Sequence, residues 1–517
     1  MIKTIIKKGA YFDSVALMQV AKKLNSLHGV LDSAVVMATK ENKGIIKASG
    51  LLTPEILKAG DSDLAVAVSA KSPAAAEAAL KAAEELLGKR PARSASGGDR
   101  KAAGLDEAVK ILDGANLAVI SVAGRYAGAL AAECIEKDLN VMLFSDNVPV
   151  ETETALKRAA VKKGLLLMGP DCGTAIINGA PIAFANSVRR GNIGVVAAAG
   201  TGLQEVTTLI SNEGAGISQA IGTGGRDVKQ EVGGLMLLQA LKMLAADTAT
   251  EALLIVSKPP HPAVLKKIMA AVKLIKKPVV AVFLGGEIKE RIKEDFYPAK
   301  TLEEAALKAV CLGKGWKLLR AREIIYDMNL KAGELAKKEA ARKKKASCLR
   351  GLYSGGTFVS EAQVILPEFI GGIRSNAPLD KKFKLKDSLR LSGHAVIDLG
   401  EDEFTVGRPH PMIDFSLRNK MIVSEGAKPE VSVLLLDLVL GYGSNLRPLE
   451  DILPAITEAF RRNRELSVVA SVTGTETDPQ VRSKVVKGLE AAGVLVMPSN
   501  AAACRLAGEI IRQGARK

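Results

Sequence analysis

"GVVAAAGTGLQEVTTLI", from Gly194 to Ile210, is an apolar run, a glycine-rich break and then residues able to start a helix. The run reads as a buried strand of a parallel sheet, because short continuous apolar stretches suit strands covered on both faces. The break turns the chain into a crossover helix that carries Gln204 and Glu205 in its first turn. Such a break has two uses. Glycine supplies the tight turn of any strand-to-helix unit, and it also leaves unpaired N–H groups at the positive end of a helix dipole, where an anion can approach closely.

The pattern recurs, which favours the second use. Ser354-Gly355-Gly356-Thr357 follows "LRGLY" and precedes "FVSEAQVIL". Gly441-Tyr442-Gly443-Ser444 follows "VLLLDLVL", ahead of a helix whose early Pro448 suits a first turn. "IGTGGRDVKQ" sets Gly222, Gly224 and Gly225 beside Arg226 and Asp227, a loop that can wrap an anion while a guanidinium clamps it. "SVTGTETDPQ" places Thr473, Gly474 and Thr475 after a further strand. The predicted anion-binding positions are therefore Gly200, Thr201, Gly202, Gly224, Gly225, Ser354, Gly355, Gly356, Gly441, Gly443 and Ser444.

Working outward, strands and amphipathic helices alternate along most of the 517 residues, so the fold class is multidomain α/β. Residues 1–88 read as a small ferredoxin-like α/β sandwich, and 89–104, polar and basic, as a linker. Residues 105–190 read as a Rossmann-like domain and 191–302 as a flavodoxin-type domain. A helical basic connector spans 303–347, and a last α/β domain runs from 348 to 517.

The formal charge of +16 attracts phosphates, yet aromatic residues are only 3%, leaving little to stack on bases. No nucleic-acid-binding motif is present, so small anionic substrates are the expected beneficiaries of the field. Five cysteines, scattered and never in a CxxC pair, argue against a disulfide framework and a zinc site. No apolar stretch is long enough to cross a membrane, and the N-terminus lacks a secretory pattern. The expectation is a soluble cytoplasmic protein with no metal and no nucleic-acid or membrane partner.

In this order, the glycine segments resemble the succinyl-CoA synthetase superfamily, most closely its acyl-CoA synthetase FdrA branch. "LLLMGPDCGTAIING" resembles the GPNCxG-type segment of the ligase α subunit, "RRGNIGVVAAAGTGLQEVT" its SxSGTLTYE turn and "IGTGGRDV" its GIGGDP loop. "YSGGTFVSEAQVI", "VLLLDLVLGYG" and "SVTGTE" are similar to segments of the β subunit's ligase domain. The resemblance implies a CoA-binding-like domain, then two succinyl-CoA-ligase-like domains, with partner subunits in a homo- or hetero-oligomer. It also implies that two helix N-termini converge on one phosphate, here at Gly200-Thr201-Gly202 and Gly441-Tyr442-Gly443.

The departures from that family narrow the chemistry. The phosphorylated histidine of the superfamily has no counterpart between Gly285 and Gly313, and there is no ATP-grasp domain. Of the four histidines, His410 in "TVGRPHPMID" stands out, with Arg408 on the same proline-bounded loop and Asp414 nearby, although a structural turn reads equally well. His28 reads as a helix-end residue, His261 as a loop residue facing the site, and His394 precedes a strand. Cys172 is either a nucleophile or a packed core thiol.

The resemblance further implies oxamate carbamoyltransferase activity, in which oxalurate and phosphate give oxamate and carbamoyl phosphate in allantoin breakdown. The glycine turns would hold phosphate or carbamoyl phosphate, with Arg226, Arg408 and His410 as the catalytic set. Two alternatives stand beside it: an acyl-CoA synthetase or ligase subunit using CoA, and a non-catalytic anion-binding scaffold.

Overall fold

The computed structural model describes residues 1–515 apart from 11, 13, 26, 62, 89–101, 103, 287, 289–291, 344–346 and 406–408. It forms two compact units, Met1–Ile111 with Asp402–His410, and Leu112–Glu401 with Pro411–Lys517. Most of the expected linker at 89–104 lies outside the described residues.

The first unit runs β1 (Ile2–Lys7), α1 (Ser14–Asn25), β2 (Val30–Met37), α2 (Lys40–Ala48), α3 (Pro54–Lys58), β3 (Leu64–Ala70), α4 (Pro73–Gly88) and α5 (Leu105–Ile111). Its strands form an antiparallel sheet in the order β1-β3-β2. The Ala-rich helix α4 buries Ala76, Ala79, Leu80 and Ala83 against that sheet. The stretch "GIIKA" lies in α2.

The second unit opens with a parallel three-stranded sheet of β4 (Leu117–Ile120), β5 (Asn140–Leu143) and β6 (Leu167–Met168), connected by α6 (Gly124–Glu136) and α7 (Val150–Lys163). A hairpin of β7 (Thr174–Ile177) and β8 (Ala180–Ala183) then joins the edge of the next sheet.

That sheet holds β9 (Arg190–Ala197), α8 (Gly200–Asn212), β10 (Ile217–Gly222), α9 (Leu235–Ala246), β11 (Ala252–Ser257), α10 (Pro262–Leu274), β12 (Val279–Phe283), β13 (Phe296–Ala299) and α11 (Leu302–Gly313). The helix α12 (Leu319–Ala341) leads to β14 (Cys348–Tyr353), α13 (Gly356–Ile365), α14 (Pro367–Ile370), β15 (Arg374–Ser375), β16 (Ala395–Asp398), α15 (Asp402–Thr405), α16 (Ser416–Gly426), β17 (Val431–Val439), α17 (Pro448–Arg462), β18 (Ser467–Thr473), α18 (Arg482–Ala491), β19 (Leu495–Met497) and α19 (Asn500–Gly514).

The two large sheets share one plan. One contains the order β10-β9-β11-β12-β13 and the other β16-β14-β17-β18-β19. In both, the strand that ends in a glycine turn lies between the second and third strands, and all these pairings are parallel. Ligands of open parallel sheets bind where the strand order reverses, beyond the carboxyl ends. A single apolar core runs through both halves, from Val195, Leu203 and Leu254 to Phe358, Leu435 and Ile510. The helices that close each half, α11 and α19, take part in it, and α12 packs along α19.

Candidate functional site

The first turns of α8 and α13 meet. Glycine is required there because each helix places a threonine on the other's backbone. A Cβ on Gly202 would stand 2.8 Å from Thr357 Cγ2, and one on Gly355 would collide with the side chain of Thr201. Gly200 remains exposed and Gly356 half-buried, so the meeting point opens to solvent. The leading N–H groups of both helices have no intrahelical acceptor, which gives this point two positive helix ends.

The halves also exchange carboxylates. Glu205 on α8 accepts the N–H of Asn500, the first residue of α19, at 3.0 Å, and a hydrogen bond from Thr473. Glu361 on α13 accepts the N–H of Leu302, the first residue of α11, at 2.6 Å, and the Asn500 amide at 2.8 Å. Each half thus caps the closing helix of the other. Burial pushes the Glu361 carboxyl up to about 8, against the pull of its Asn500 hydrogen bond, and raises Glu205 as well.

Two charged groups flank the α13 end. Lys258 follows β11 in one half and Asp398 closes β16 in the other. A Cβ on Gly356 would collide with Asp398 Oδ2 and stand 3.4 Å from Lys258 Nζ. Burial, with the negative charge of Glu401, pushes the Asp398 carboxyl up to about 7, despite the Gly400 N–H and the field of Lys258. Neither residue was singled out in the sequence, since a lysine after a strand and an acid at a strand end carry no motif.

The remaining expected positions are mostly engaged in local structure. Ser354 gives both its N–H and its hydroxyl to buried Asp437, which also accepts from Arg418 at 3.2 Å. Gly224 lies at φ +82°, where a Cβ would meet Pro170 O at 2.6 Å, and Gly225 is exposed. Arg226 Nε pairs with Glu153 at 2.9 Å and its Nη2 donates to Val148 O, so its guanidinium is engaged by α7 and the preceding loop. Asp227 accepts the N–H groups of Met236 and Leu237 at the start of α9 and pairs with fully buried Lys157.

The turn at Gly441 to Ser444 serves a different contact from the one its motif implies. The Tyr442 N–H donates to Ala185 O at 2.9 Å and the Gly441 N–H to Gln480 at 3.0 Å, and α17 begins only at Pro448. The helix end that meets α8 belongs to α13. Ser444 Oγ is buried and makes no hydrogen bond to the described residues.

His261 caps α10, its Nδ1 accepting from Ala263 N–H at 3.3 Å, and His394 Nδ1 accepts from Leu349 N–H at 3.2 Å. His28 is exposed. His410 is half-buried in the first compact unit, and Arg408 lies outside the described residues. Cys172 is buried, its Sγ 3.7 Å from Thr174 O, and burial pushes the thiol up to about 11, which leaves it protonated and a poor nucleophile.

Comparison with known proteins places these elements in a family. Residues 1–103 match the model described as AllF, heavy metal-associated domain, residues 188–285 the CoA binding domain, and residues 352–510 the CoA-ligase domain. Among the described residues, no group of three or more His, Cys, Asp or Glu could hold a metal ion, and no helix is long and apolar enough to cross a membrane. The chain is 43% identical over 517 residues to "Uncharacterized protein YahF" of Escherichia coli (strain K12), covering 99% of each. It is 27% identical over 185 residues to the succinate–CoA ligase [ADP-forming] subunit alpha of Staphylococcus epidermidis, which is 35% of this chain and 60% of that one. The dinucleotide-forming acetyl-coenzyme A synthetase 1 of Ca. Korarchaeum cryptofilum matches at 15% identity and a TM-score of 0.32, covering 78% of this chain and 84% of the other, too slight a likeness to argue from.

Proposed function

The chain belongs to the FdrA family of succinyl-CoA synthetase-like proteins, and on that premise we propose that it is an acyl-CoA synthetase-type subunit, holding an acyl phosphate or phosphate where α8 and α13 meet. The observation that carries this reading is the mutual fit of the two first turns, each with glycine where the other sets a threonine, beside Lys258. Two helix dipoles and an ammonium group stabilise negative charge, and the helix ends, fixed by packing, need no reorganisation as charge develops on a transferring group. The CoA-binding and CoA-ligase matches support ligase chemistry over the carbamoyl transfer expected from the resemblance.

Carbamoyl transfer to phosphate remains the second reading, on one observation. No histidine lies between Gly285 and Gly313, and His261 and His394 are each engaged in a local hydrogen bond, so neither stands ready as the carrier of a phosphohistidine relay. Direct transfer between a carbonyl and phosphate needs none. The two readings, and the scaffold, separate by titration calorimetry with CoA, acetyl phosphate and carbamoyl phosphate, repeated on Gly202→Asp. The ligase reading expects CoA and acetyl phosphate to bind and the variant to lose the acetyl phosphate alone. Carbamoyl phosphate binding without CoA transfers the assignment to carbamoyl transfer. A variant that keeps every ligand removes the paired helix ends from the site.

A further inference from the structure

Asp398 is poorly explained as packing. It is 4% exposed, and only Oδ1 is satisfied, by the Gly400 N–H at 2.8 Å. Oδ2 receives no hydrogen bond from the described residues and is aimed at the first turn of α13, against Gly356. Lys258 Nζ reaches the same glycine from the other half. The charged groups around Asp398 are Glu401 beyond its own strand, Lys258 after β11, and Asp437 on β17, the last paired with Arg418 of α16. Two of these three neighbours are acidic, so an ionised Asp398 adds to a negative wall, while the helix end and Lys258 call for one anion only.

A ligand anion and the Asp398 carboxylate therefore compete for the same positive end. We propose that Asp398 is a proton-linked positioning residue: an anionic group bound beside Lys258 at the first turn of α13 is accompanied by uptake of one proton from solvent onto Asp398, which then donates a hydrogen bond to that anion. The site so built takes a phosphoryl or carboxylate group and prefers it on the acidic side of neutrality. Burial already holds the carboxyl close to neutrality, so the proton is available without a large conformational change. This inference rests on the anion site proposed above.

Sulfate is the probe, because it stays doubly charged across the range and contributes no proton of its own. Titration calorimetry of the full chain in two buffers of different protonation enthalpy counts the protons taken up. For a carboxyl near neutrality, affinity is expected to fall about ten-fold from about pH 6 to about pH 8, with uptake approaching one proton. Asp398→Asn is expected to bind sulfate with no such slope, and Lys258→Met to bind more weakly at both ends with the slope kept. Sulfate bound by the unaltered chain without proton uptake, or an unchanged slope in Asp398→Asn, overturns the linkage and leaves the anion site standing. No sulfate binding by the unaltered chain at either pH removes the anion site and this inference with it. The proton count on the unaltered chain decides the matter even where a variant fails to fold.

Discussion

The halves built around α8 and α13 have the same strand order and the same start, Gly200-Thr201 with Glu205 in one and Gly356-Thr357 with Glu361 in the other, but their loops after the third strand differ. After β11 the chain presents Lys258, whose ammonium group reaches the opposite helix end. After β17 it presents Gly441 to Ser444, of which the Tyr442 amide is spent on Ala185 and the Gly441 amide on Gln480. One third-strand loop brings charge to a helix end and the other seals a packing contact. A repeated frame thus fixes position, and the charge brought to the helix ends differs where the repeats diverge.

The largest expected effect is on pH, and it tests whether the α13 half is the one that loses stability as pH rises. A carboxyl whose pKa rises on folding contributes stability that is complete below its unfolded value and lost as pH rises through its folded value. Glu361 goes from 4.5 to about 8, so thermal unfolding should move to lower temperature as pH rises from about 5 to about 9. Glu361→Gln should flatten that fall. A variant with the parent's pH profile would show that the carboxyl is not what the half stores.

The exchanged caps give the next effect. Glu205→Ala leaves Thr473 and the Asn500 N–H without an acceptor, at a cost on the order of 3 kcal/mol in urea unfolding. Because Glu205 and Glu361 both bind Asn500, the double alanine variant should depart from additivity by about 0.5 kcal/mol or more. Strict additivity would mean that the halves are capped independently. Gly355→Ala should then cost about 1–3 kcal/mol by overpacking against Thr201, and Thr201→Ala in the same chain should recover part of it. The smallest effect falls on the sealed loop. Ser444→Ala removes a buried hydroxyl that bonds to none of the described residues and should shift stability by less than about 0.5 kcal/mol, with anion binding unchanged.

Much of the fold was legible because continuous apolar runs and glycine breaks are local signals. The turn at Gly200 and the turn at Ser354-Gly355-Gly356 are both first turns of helices in parallel sheets, as the pattern implies. Which two helix ends meet was not legible, since that depends on how one sheet packs on the other. The implied partner of α8 was the Gly441 turn, while the packing selects α13. Arg226 looked like an anion clamp because a glycine loop beside an arginine has that composition, and the competing carboxylate, Glu153, lies on a helix far back in the chain. One signal was available and unused: the spacing from Gly-Thr to glutamate is identical in "GTGLQE" and "GTFVSE", and both glutamates prove to be exchanged caps.

The exchange of caps also constrains how the chain can be made. A domain emerging first from the ribosome usually folds as a unit before the next appears. Here Glu205 accepts the N–H of Asn500, 295 residues further along the chain. The cap that Glu205 supplies therefore cannot form until Asn500 has been translated, which ties completion of the half built around α8 to synthesis of the other.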